Sequence, residues 1–339
     1  MLEERFNSLG RFLKNTFGER VNRMNIFIPG DPKSHEGGKE YSLCPGGPCE
    51  TEAPQETTLP VQEQITRAKE RIRQKFKYGK YIVHFHTYAN TTITLDTLRK
   101  AIEKTMQDDE IIGINVTARV DSLDDNLIKF LNNVSQHIYL WVETGLISIH
   151  DATLQRLGLP FNVQDALTTI NKLLRKDLRV STHVVLGLPG ETSDMMKQTM
   201  EEVSRLMVNG VNIQHFLFGQ NTPYTEALTK GEITLLPRAD YIAKVCDFIE
   251  ILPPNIILRR LISESAYNPV WPEWTTDKKK MLSEISDELE KRNSYQGCKN
   301  LSYIGIAKVF GESDAETDQA EQINQAPAVE MATFTDEDE

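Results

Sequence analysis

Arg179-Val180-Ser181-Thr182-His183-Val184-Val185-Leu186-Gly187-Leu188-Pro189-Gly190-Glu191-Thr192 is the stretch on which the fold turns. Its first eight residues make a short run rich in β-branched side chains, the composition of a strand covered on both faces. Two glycines then bracket a Leu-Pro pair, and Thr192 stands where the cap of a following helix belongs. The order strand, tight turn, helix is one unit of a parallel β/α fold.

Outward from this unit the pattern repeats. Strands are expected at Asn22–Ile28, Tyr81–His86, Ile111–Thr117, Ile138–Glu143, Arg179–Leu186, Val211–Phe218 and Ile256–Leu261. Helical periodicity fills the intervals at Pro60–Phe76, Leu95–Met106, Asp124–Asn132, Val163–Arg175, Ser193–Val208 and Pro237–Ile251, with further helices at Glu3–Phe17 and Asp277–Arg292. Alternation of this kind is met by an open doubly wound sheet or by a β/α barrel, and six or seven units favour the partial barrel. Either way, chemistry belongs where the strands end.

The composition sets bounds. The chain has 339 residues, 39% hydrophobic and 8% aromatic, enough for a sizeable core. No apolar run approaches the roughly 18 residues of a membrane span, and the N-terminus lacks the order of a signal peptide. Four cysteines are too few for a disulfide scaffold at this size, so the expectation is a cytoplasmic protein with no membrane partner. The net charge of −11 is concentrated: residues 312–339 hold ten acids and no Lys or Arg, which leaves 1–311 at −1. That tail is expected to be disordered. Three segments follow: 1–60 with the N-terminal helix, first strand and cysteine loop; 61–297 with the barrel and a C-terminal helical extension; and the acidic tail from 298 to 339.

Polar residues gather at the strand ends. The second strand leads into His86-Thr87-Tyr88-Ala89-Asn90, where Tyr88 and Asn90 either shape a turn or meet a ligand. The third is followed by Arg119 and Asp121, either a surface pair or part of a site. The fourth ends on Glu143, a carboxylate in an apolar run that needs a partner if buried. His183 is either a hydrogen-bonded core histidine or a site residue. Gly187 and Gly190 permit close approach of backbone to a ligand. The first strand opens into a long Gly/Pro-rich loop holding Cys44-Pro45-Gly46-Gly47-Pro48-Cys49, and loops of that length are usually functional or disordered.

Taken in order, Phe17-Gly18-Glu19-Arg20-Val21, Phe85 through Thr91, Arg119 and Asp121, Trp141 through Leu146, His150 through Leu154, Val184 through Thr192, Leu252-Pro253-Pro254 and Ser294-Tyr295-Gln296-Gly297 resemble the radical-SAM superfamily. The nearest likeness is to the YhcC-like family, relatives of the Elongator catalytic subunit and the oxygen-independent coproporphyrinogen oxidase. The resemblance implies an α/β fold, a partial (β/α)6 TIM-like barrel of parallel strands. It implies a [4Fe-4S] cluster on three cysteines, here Cys44 and Cys49, and S-adenosylmethionine bound by Glu143, His183, Val185, Gly187, Gly190, Glu191, Tyr88, Asn90 and Arg119. The implied substrate is a nucleoside or tRNA base, with an electron donor as further partner if the protein is active.

The match departs from the family at the metal. Counting from Phe17, the three expected cysteines fall at Pro32, Cys44 and Gly47, with Cys49 two residues beyond the last. A site-differentiated cubane needs three thiolates at fixed positions. Other polar positions of the family are held by Ala118, Ile147, Phe161 and Asn221, and a family proline by Val120. Two readings follow: a radical-SAM enzyme with non-standard cluster ligation, or a catalytically lapsed relative kept as a binding or regulatory subunit.

Overall fold

The computed structural model describes residues 5–28, 59–76, 78–86, 94–219, 222–263 and 270–300. Cys44, Cys49, Tyr88, Asn90, Pro32, Gly47, Asn221 and the acidic tail lie outside them.

Helix α1 (Leu9–Phe17) leads into β1 (Val21–Phe27). There follow α2 (Val61–Lys75), β2 (Lys80–His86), α3 (Leu95–Thr105), β3 (Ile111–Thr117), α4 (Asp125–Ser135) and β4 (Tyr139–Ile147). Next are α5 (Asp151–Arg156), α6 (Val163–Leu174), β5 (Arg179–Leu186), α7 (Ser193–Arg205), β6 (Gly210–His215) and the two-residue β7 (Phe218–Gly219). The fold closes with α8 (Pro223–Thr229), α9 (Arg238–Ile251), β8 (Ile257–Arg260), β9 (Val270–Trp271) and α10 (Lys278–Lys291).

Seven strands form one sheet in the order β1-β2-β3-β4-β5-β6-β8, every neighbouring pair parallel. The sheet is curled into a half-barrel, which is the expected partial barrel. Strands β3 and β5 span the residues read from sequence. Strand β4 runs on past Glu143 to Ile147, because a register shift between Gly145 and Ile147 keeps it paired with β5. The expected strand 211–218 stops at His215; Phe218 and Gly219 pair instead with β9, antiparallel. The helix expected over Glu3–Phe17 is interrupted at residues 6–8, and α1 begins at Leu9, where the Ser8 side chain accepts from Arg11 N and caps it.

Paired residues of parallel neighbours share a face, so the register sorts the side chains. Met24, Ile26, Val83, Phe85, Ile114, Val116, Val142, Val180, Val184 and Ile213 belong to the main buried cluster, which takes in the apolar stripes of the outer helices. The concave face differs. Its floor is a small apolar cluster of Ile82, Tyr139, Trp141 and Ile257 with Leu13 of α1. Phe12 and Phe17 of α1 meet Trp141 and Tyr139 edge-on at 6.3 and 5.1 Å between centroids. Helix α1 therefore plugs the N-terminal end of the half-barrel and leaves the C-terminal end as its mouth. The plug is tied in place: Leu258 N donates to Asn7 O at 2.8 Å, and Asn7 N to Gln296 Oε1 at 2.8 Å. The Gln296 amide also donates to Pro253 O and Ile256 O, joining both ends of the described chain to β8.

Candidate functional site

Above the apolar floor the concave face turns polar, and Glu143 stands at its centre. It is 3% exposed, on the face where β4 pairs with Thr117 of β3 and Ser181 of β5. A carboxylate buried this deeply must be paired. Arg259 of β8 supplies the charge, donating to Oε1 from across the curl of the sheet. Asn115 Nδ2 donates to the same oxygen at 2.7 Å. On the other oxygen the Thr117 hydroxyl donates at 3.4 Å, and His183 Nε2 lies at 3.2 Å. Burial, the largest single influence, opposes the charged form, but Arg259 together with the neighbouring His84 and His183 outweighs it and holds the Glu143 carboxyl well below the usual range.

Two histidine arms extend from this carboxylate. His183 Nδ1 donates to Gln214 Oε1 at 3.0 Å, which reaches β6. His84 Nε2 donates to Thr117 Oγ1 at 2.6 Å, while its Nδ1 accepts from Arg23 at 2.8 Å. Burial, then the neighbouring His86, pushes His84 well below its ordinary pKa, so it is a neutral ring carrying its proton on Nε2. His86 stacks against it with centroids 3.7 Å apart. Arg259 itself lies over the Trp141 ring at 4.5 Å, which seats the guanidinium on the apolar floor.

Five buried polar atoms around this core have no hydrogen-bond partner among the described residues: Asn115 Oδ1, Ser181 Oγ, Asn212 Nδ2, Gln214 Nε2 and Arg259 Nε. Each belongs to a residue that bonds Glu143 or His183, or pairs beside one of them in the sheet. Unpaired buried donors and acceptors are costly, and water or a ligand commonly meets them.

The structure brings some of the sequence-read residues together and not others. Glu143, His183 and Val185 share the concave face, Val185 pairing with Gln214. Gly187, Gly190 and Glu191 form the β5–α7 turn, and their close contacts are internal. A side chain at Gly190 would meet Arg156 Nη1 at 2.1 Å, and one at Gly187 would meet Leu236 at 2.8 Å. The Ser148 hydroxyl donates to Glu191 at 2.5 Å, tying this turn to the end of β4. Arg119 closes on Asp121 with Nε donating at 2.8 Å. His215 faces the other way and is structural, its ring bonded to Thr275 Oγ1 at 2.9 Å.

Arg259 is the residue that the sequence reading missed. The signal was present, since Ile257-Leu258-Arg259-Arg260 places charge inside a short strand, as Glu143 does in β4.

The thiols decide how an iron–sulfur cluster fits. Cys44 and Cys49 follow the C-terminal end of β1 in sequence and lie outside the described residues. Cys246 is buried between α9 and α10 with its thiol against Ile285 O, and burial pushes it up to about 12. Cys298 follows Gly297, which packs on Pro254 ahead of β8, at the plugged end. Neither can reach the mouth, so the chain offers two thiolates to a site that needs three, and these residues do not fit the cluster. Among the described residues no group of three or more His, Cys, Asp or Glu is placed to hold a metal ion. None of their helices is long and apolar enough to cross a membrane.

Residues 208–291 match the model of the Radical_SAM C-terminal domain. The chain is 30% identical over 298 residues to the uncharacterized protein YtqA of Bacillus subtilis, covering 87% of this chain and 92% of that protein. It is 25% identical over 285 residues to YhcC of Escherichia coli, covering 81% and 90%. A shorter match, 27% over 135 residues, covers 38% of the chain and 30% of the threonylcarbamoyladenosine tRNA methylthiotransferase MtaB of Thermotoga maritima. Among solved structures, the archaeal Elp3 of Methanocaldococcus infernus superposes with a TM-score of 0.57 at 15% identity. That superposition covers 81% of this chain and 64% of Elp3, a likeness of fold.

Proposed function

The chain belongs to the radical-SAM superfamily, in its YhcC-like family, and from that premise we propose that it is a catalytically lapsed member acting as a ligand-binding or regulatory subunit. One observation carries the reading: of four cysteines, two lie at the plugged end or behind the sheet, so no third thiolate is available at the mouth. A cluster would supply the electron for reductive cleavage in an active relative. The cysteines of this chain leave such a cluster one thiolate short.

What persists supports binding. The sheet, the floor and the polar lumen are present among the described residues, and the lumen keeps unpaired groups at Asn115, Ser181, Asn212 and Gln214. A nucleoside is the ligand class that the family favours, and the partial likeness to a tRNA methylthiotransferase favours an RNA-linked partner.

The test is anaerobic reconstitution with iron and sulfide, followed by iron counting and absorption spectroscopy. The expected protein is colourless, with well under one cluster per chain. A brown protein carrying about four irons per chain would restore the active-enzyme reading.

A further inference from the structure

The lumen contains a carboxylate that already has its cation. Glu143 and Arg259 are each 3% exposed at the side chain, and the guanidinium is backed by the Trp141 ring. A ligand's ammonium or sulfonium group would find Arg259 already seated on Glu143 Oε1, and taking its place would leave the displaced guanidinium buried without a counter-ion. Breaking a buried pair in that way is strongly unfavourable. The unpaired groups around the pair point in the same direction. Asn212 Nδ2, Gln214 Nε2 and Arg259 Nε are N–H donors, against one lone acceptor at Asn115 Oδ1 and a hydroxyl at Ser181 that can serve as either. A donor-rich lumen whose central carboxylate is already paired, and which also holds the Arg23 guanidinium on His84, matches a ligand rich in acceptors and without positive charge.

We infer that Arg259 is a built-in occupant of the cation position at Glu143, so that the lumen of this chain admits an uncharged, acceptor-rich nucleoside and rejects S-adenosylmethionine. Position 259 is thereby a specificity-determining position: its guanidinium separates the adenosyl portion of a ligand from the charged amino-acid portion. The inference rests on the lapsed-enzyme reading, since a cluster with an open iron would offer the amino-acid portion a second anchor.

Calorimetric titration of the full-length, iron-free protein tests it with two probes that share a nucleoside. 5′-Methylthioadenosine lacks the amino-acid portion and the positive sulfur; S-adenosylmethionine carries both. The wild type is expected to bind the first and to bind the second at least tenfold more weakly. Arg259→Met should narrow or reverse that ratio, and Glu143→Gln/Arg259→Met should lose the gain for S-adenosylmethionine. Should Arg259→Met fail to fold, the wild type alone decides. S-adenosylmethionine binding as tightly as methylthioadenosine, or no binding of methylthioadenosine, overturns the inference. Iron counted on the same sample keeps the two failures apart. About four irons per chain sinks the lapsed reading; an iron-free protein that prefers S-adenosylmethionine sinks only the role of Arg259.

Discussion

At the scale of single residues, the centre of the molecule is one ion pair. Glu143 receives Arg259, Asn115 and Thr117 and faces His183, so its charged form is the one this environment is built around. Arg259→Met removes the cation and leaves the carboxylate buried among neutral groups. The expected cost at neutral pH is about 3–5 kcal/mol, the range for breaking a buried pair from one side. Burial would then act on Glu143 unopposed by Arg259 and raise its pKa relative to the wild type. The deficit relative to wild type should therefore shrink as pH falls and the variant takes up a proton. Glu143→Gln/Arg259→Met, with neither charge, should recover most of the loss. Urea unfolding of the three proteins at two pH values checks this; a single variant as stable as the wild type at neutral pH would make the pair decorative.

At the scale of elements, the β5–α7 turn shows what could be read in advance. The run 179–186 and its Gly-Leu-Pro-Gly turn gave both strand and helix start, and Thr192 caps α7 by accepting from Met195 N as its position implied. What the glycines are for was not legible. Gly190 has φ +80° and faces Arg156, whose Nη1 donates to Pro189 O at 2.6 Å; the guanidinium comes from α5, a six-residue helix too short to show a period. Gly190→Ala should cost about 2 kcal/mol, from the left-handed backbone together with the displaced arginine. In an Arg156→Ala background the cost should fall to the backbone share alone, a difference that denaturant midpoints resolve; equal costs in both backgrounds would remove Arg156 from the explanation. Arg259 escaped notice for a similar reason. Its parity in β8 marks it as inward-facing, but its partner sits on β4, and only the curl of the sheet brings the two strands' side chains together. The site was thus half legible: Glu143 and His183 converge as their strand ends implied, and Arg119 pairs with its neighbour Asp121.

At the scale of the whole molecule, buried neutral histidines couple folding to pH. His84 is held well below the ordinary histidine value of about 6.5, and His86 and His215 are each lowered to about 3, in all three cases chiefly by burial. His84 and the stacked His86 lie on the lumen side and His215 on the opposite side of the sheet, under Tyr241 and Trp274, so the two sides cannot charge without opening different parts of the fold. In the unfolded chain all three take up protons near pH 6.5. Between that value and the folded ones the unfolded state binds more protons, so stability rises with pH there. The contribution is fully present above about pH 6.5 and is lost as pH falls, at about 1.4 kcal/mol per pH unit for each ring. Glu143 works in the same sense lower down: its folded pKa lies well below 4.5, so its contribution is present above that value and lost as pH drops toward the folded one. From pH 6.5 to 4.5 the three histidines together should remove on the order of 7 kcal/mol. His215→Gln should reduce the slope by about a third, because the His84 and His86 rings still titrate. Urea midpoints across that interval decide the matter: a wild-type stability flat from pH 6.5 to 4.5 would mean that these rings are charged in the folded state, and the neutral, Nε2-protonated His84 drawn between Arg23 and Thr117 would be wrong.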